Sequence, residues 1–128
     1  MKKMLMIAAA AAFVMGGMAA TTATAEAGAL GKCKACHNLD SDKRKVGPGL
    51  KTVFGRKNAQ MADMKYSKSM KAHAGEWTWD EEHLRAWVCN SKKAVKKFTG
   101  DDHAKTKMPP QKKCGDKGDA VIAALKAL

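Results

Sequence analysis

The stretch "KCKACHN", Lys32 to Asn38, sets two thiols and an imidazole within five positions: Cys33, Cys36 and His37. Residues three apart share one side of a helical turn, so a turn here presents both sulfurs together with the imidazole beside them. A redox dithiol of the thioredoxin type wants a strand–helix–strand context, which the surrounding pattern lacks. A zinc site would borrow Cys89 or Cys114, but zinc ligands come as spaced pairs, and adjacent Cys36 and His37 fit that poorly. A plain Cys33–Cys36 disulfide leaves His37 without a part.

Cys-x-x-Cys-His is also the attachment sequence of c-type haem, and haem engages all three side chains. The thiols reach two vinyl groups on one edge of the porphyrin. The next residue's imidazole is then carried over the ring face, where it ligates iron.

The rest of the 128-residue chain frames that motif. Lys2 and Lys3 precede an apolar run, "MLMIAAAAAFVMGGM", and then the small-residue tract "AATTATA". Charge, apolar core and an Ala-x-Ala end make residues 1–25 a secretory signal peptide, with cleavage as early as residue 19 also open. The composition is weakly apolar for a membrane anchor, so no stable membrane insertion is expected. The remaining domain, 26–128, keeps all four cysteines in an oxidising compartment, where a Cys89–Cys114 disulfide is the expected pairing. It carries 22 basic and 12 acidic side chains. Such charge suits acidic protein partners. Export and the scattered lysines argue against nucleic acid.

No repeat divides residues 26–128, which are expected to form one all-α domain of three to five helices with long loops. Glu26 to Cys36 reads as a short helix, and Asp40 to Lys51, with "VGPGL", as a loop. Thr78 and Glu81 fit a capping box opening a helix, with Leu84, Trp87 and Val88 on one face. Lys92 to Lys107 reads as loop after a short helical start. A last helix begins near Asp116, with Val121, Ile122, Leu125 and Leu128 on one face. Long loops in so small a domain need something to pack on.

The order of "CKACH", "VGPGL", "FGRK", "YS", "WTWDEEHL", "CNSKK", "KTKMP" and "DAVIAALKAL" resembles that of the class I c-type cytochromes, over nearly all of residues 26–128. The resemblance implies a cytochrome c fold wrapped around one covalently bound haem c, held at Cys33 and Cys36. It implies a monomeric periplasmic one-electron carrier, not an enzyme, that docks on acidic faces of redox complexes. Its axial ligands would be His37 and Met108, which lies 71 residues further on. Met61, Met64, Met70, His73, His83 and His103 are the rivals for the second position. Pro48 would orient His37 through its carbonyl. Arg56, Tyr66, Trp79 and Thr106 would serve the haem propionates, and Lys51, Lys92, Lys93, Lys107, Lys112 and Lys113 would ring the exposed edge.

The chain also departs from the family. Trp87 stands where a tyrosine commonly faces the ligand sulfur, Met70 where a polar amide is usual, and Ala29 where an aromatic is common. The segment "AVKKFTGDDHAKTKM" is longer than its mitochondrial counterpart. Two other functions stay open: a haem enzyme or gas-binding protein with a labile sixth ligand, and a membrane-anchored or complex-bound cytochrome subunit.

Overall fold

The computed structural model describes residues 28–128, so the expected signal peptide lies outside the described residues. A single 3-10 turn, Cys33–Ala35, carries the first cysteine. Three α-helices follow: α1 (Lys68–Ala72), α2 (Glu81–Thr99) and α3 (Asp116–Lys126). The only extended pairing among the described residues is an isolated antiparallel bridge between Lys57 and Thr78. The domain is all-α, as expected, and loops make up much of it.

α2 and α3 form the frame. Leu84, Trp87 and Val88 of α2 and Val121, Ile122 and Leu125 of α3 are all buried in one cluster, as their helical spacing dictates. Gly118 permits close approach here: a Cβ would come within 2.7 Å of Lys113 O and touch Val88. Leu128 shares the stripe but is 37% exposed, because α3 ends at Lys126.

Two boundaries differ from expectation. The cap of α2 is Asp80, whose carboxylate accepts from His83 N–H, and not Thr78. Thr78 is instead held by the bridge to Lys57. The stretch expected to turn to loop after Lys92 stays helical to Thr99, where Gly100 closes it at φ 69°. Buried Ala94 and Val95 explain this, since they continue the apolar face past Lys92 and Lys93. The helix is broken once inside, at Asn90 (φ −153°, ψ 93°), and Asn90 Oδ1 accepts from Lys93 N–H to restart it.

Asn58 joins the loops to this frame. It is fully buried, and every polar group it carries is paired. Its N–H donates to Trp77 O at 2.9 Å and its amide donates to His73 O at 2.9 Å. Its two oxygens accept from Gly75 N–H and Trp77 N–H. Alongside, Gly55 N–H donates to Trp79 O and Trp79 N–H donates to Arg56 O, at 2.9 and 2.8 Å. Those bonds set Arg56 and Trp79 side by side, which matters for the site.

Candidate functional site

Cys36 N–H and His37 N–H both donate to Cys33 O, at 3.1 and 2.9 Å, and this tight turn brings both thiols and the imidazole to one cavity of about 340 Å³. Both sulfurs are free thiols, half-buried. Burial pushes the Cys33 thiol above its ordinary pKa, against the opposing pull of the Lys113 charge.

His37 is held by its far nitrogen. Nδ1 lies 2.6 Å from Pro48 O, and a carbonyl only accepts, so Nδ1 carries the proton and Nε2 keeps its lone pair. Burial pushes the imidazole below its usual pKa, the Pro48 carbonyl resists, and Arg56 adds to the lowering. A neutral imidazole with a free Nε2 is the form a metal takes. Gly47 packs against the ring, where any Cβ would overlap it.

Met108 reaches the same cavity from the loop between α2 and α3. Trp87 Nε1–H donates to its Sδ at 3.0 Å, and Ser91 Oγ donates to its carbonyl at 2.7 Å. Of its rivals, Met64 and Met70 also line the cavity, whereas Met61, His73, His83 and His103 do not. His73 is paired with Glu76 and His83 with Asp80, at 2.7 and 2.8 Å.

Arg56, Tyr66, Trp79 and Thr106 line the cavity as well. Arg56 Nη1 faces Asp42 Oδ1 at 3.3 Å and Nη2 donates to Gly49 O at 3.0 Å. The Tyr66 and Thr106 hydroxyls accept from Met61 N–H and Met108 N–H, so each keeps its own proton to donate. Burial raises the Tyr66 pKa and keeps the phenol protonated.

The lining suits the haem that the motif implies. The walls are apolar, from Leu50, Val53, Met70, Leu84, Val121 and Leu125. Val46, also on the cavity, is 70% exposed, an apolar side chain that a bound group would cover. Two free thiols, a neutral imidazole and a thioether meet apolar walls, with a guanidinium and two hydroxyls ready for carboxylates. The residues fit a haem.

Sequence reasoning missed several members. Lys32, Arg44 and Lys65 line the cavity mouth with Lys107, while Lys51, Lys92, Lys93, Lys112 and Lys113 do not. Ser91, fully buried, carries no sequence signal that ties it to a carbonyl 17 residues away. Cys89 and Cys114 are bridged, with Cα atoms 4.5 Å apart, and close a loop around Met108.

An all-α domain built on a Cys-x-x-Cys-His turn and a largely apolar cavity that both thiols and the imidazole share is, by class, a c-type cytochrome. No family model matches the chain. Cytochrome c2 of Rhodospirillum rubrum is 42% identical over 101 residues, covering 76% of this chain and 88% of that protein. Cytochrome c2 of Cereibacter sphaeroides is 39% identical over 114 residues, 80% of this chain and 79% of that one. The solved cytochrome c2 of Rhodospirillum centenum superposes with a TM-score of 0.71 at 30% identity, over 83% of this chain and 96% of its own. That of Rhodobacter sphaeroides gives 0.69 at 33% identity, over 82% and 94%. The chain belongs to the cytochrome c2 group of class I c-type cytochromes. It is an electron carrier with one covalently bound haem c, and not an enzyme.

Proposed function

We propose that the chain is a periplasmic one-electron shuttle whose haem is attached at Cys33 and Cys36 and ligated by His37 and Met108. The observation that carries this is the meeting of both thiols, the His37 imidazole and the Met108 thioether on one cavity. When bound, the haem supplies the one-electron couple of its iron.

The protein's part follows from its own side chains. Pro48 O holds the His37 Nδ1 proton and so aims Nε2 and raises its basicity. Met108 offers a soft sulfur, which favours ferrous iron and a raised potential. With His37 and Met108 both holding the iron, no place would remain for substrate, and only an electron would pass. Arg56, Tyr66, Trp79 and Thr106 would receive the propionates, which need donors inside a wall of low polarity. Residues 1–25 direct export as a signal peptide. Among the described residues no helix is long and apolar enough to cross a membrane. Lys32, Arg44, Lys65 and Lys107 at the cavity mouth favour acidic docking faces.

Replacing Met108 with alanine tests the ligand set. Mass spectrometry should still find haem covalently attached, while the thioether-to-iron absorption in the red disappears and the potential falls. Survival of that absorption would assign the position to Met64 or Met70. An exported chain without covalent tetrapyrrole would overturn the whole function.

A further inference from the structure

α2 contains neither proline nor glycine, yet it breaks at Asn90, whose backbone is extended. A continuous helix would give the Val88 and Cys89 carbonyls to the amides of Lys92 and Lys93. Lys93 N–H goes to Asn90 Oδ1 instead. The two released carbonyls accept from the other side of the Met108 loop: Lys113 N–H donates to Val88 O at 3.0 Å and Lys112 N–H to Cys89 O at 3.1 Å. Lys112 adopts φ 57°, in the left-handed region, to make this approach. Ser91, with 0% of its surface exposed, then donates to Met108 O at 2.7 Å. Residues 88–91 thus grip the ligand loop at Met108, Lys112 and Lys113.

We propose that the break at Asn90 exists to make this grip, and that Ser91 is the positioning residue that sets how fast the Met108 sulfur leaves the iron. With Met108 as the sixth ligand, as proposed above, the sulfur cannot swing away by side-chain rotation alone. Trp87 Nε1–H holds the sulfur at 3.0 Å, and Trp87 and Val88 line the same cavity. Its backbone must move outward, and the Ser91–Met108 bond must break first. Breaking it strands a fully buried hydroxyl, and that penalty slows the opening.

The test uses oxidised holoprotein with saturating imidazole as the displacing probe, followed by loss of the thioether-to-iron absorption. Ser91→Ala should raise the opening rate about tenfold, the rate equivalent of one lost buried hydrogen bond. Thr99→Ala is the control, because Thr99 Oγ1 donates to Val95 O at 2.8 Å in the same helix and accepts from Asp101 N–H, with no hydrogen bond to Met108, Lys112 or Lys113. It should leave the rate unchanged. An unchanged rate in Ser91→Ala, or an equal rise in Thr99→Ala, overturns the proposal. A wild-type spectrum lacking the thioether absorption overturns the ligand set itself, and the proposal with it. Should Ser91→Ala not accumulate, amide exchange in the wild type decides: imidazole should speed exchange at Lys112 and Lys113, and no change there overturns the grip.

Discussion

Trp87 bears on the chemistry of Met108, the proposed ligand. Its indole N–H points at Met108 Sδ from 3.0 Å, and its ring sits 5.0 Å from that of Trp79 in an edge-on contact. A donor on the sulfur withdraws electron density and makes the thioether a poorer partner for ferric iron. Trp87→Phe keeps most of the ring and removes the donor. The midpoint potential should then fall by on the order of 30 mV, the one-electron equivalent of a weak hydrogen bond. Redox titration measures this, and an unchanged potential would mean that the indole only packs. Asp42 is paired with Arg56, which lines the cavity. The Thr52 hydroxyl, the Thr52 N–H, Arg56 and Lys51 hold its carboxyl below the ordinary value. A lowered folded value stabilises above the unfolded pKa of about 3.9 and loses that contribution as pH falls through the folded value. Asp42→Asn should therefore be less stable than wild type at neutral pH, with the two denaturation curves converging in acid. A difference that persists in acid would assign the effect to packing.

Helix α2 shows where elements depend on partners that local sequence does not name. The apolar spacing of Leu84, Trp87 and Val88, and of Val121, Ile122 and Leu125, was legible because a helix face repeats locally. The continuation through Ala94 and Val95 was harder to read among four lysines, and the Asn90 break depends on amides more than 20 residues away. The cysteines and His37 were legible as a motif, and Met108 through its setting in "KTKMP". The disulfide adds a covalent limit to the same loop. Cys89 and Cys114 are separated by 25 positions, and closing a loop of that size removes about 3.5 kcal/mol of unfolded-state entropy. A Cys89→Ser, Cys114→Ser double variant should lose stability of that order in guanidinium titration while keeping its haem. A loss well under 1 kcal/mol would mean that the bridge removes little entropy from the unfolded chain.

Charge operates over the whole molecule. The 24 basic side chains outnumber the 12 acidic ones, but only some of them border the route to the haem. Lys32, Arg44, Lys65 and Lys107 rim the cavity, while Lys97 is exposed on the outer part of α2 and does not. Net charge alone would treat these positions alike. A local field would not, because exposed charges farther apart than about 8–10 Å are largely screened at physiological salt. Electron transfer from reduced holoprotein to ferricyanide, a small anion, separates the two cases. Lys32→Glu and Lys65→Glu should each slow the second-order rate about twofold or more at about 0.15 M salt, and Lys97→Glu, with the same change in net charge, should leave it nearly unchanged. The differences should vanish at high salt. Equal slowing in all three would show that the whole positive surface steers partners, and the rim around the cavity would lose its special part in docking.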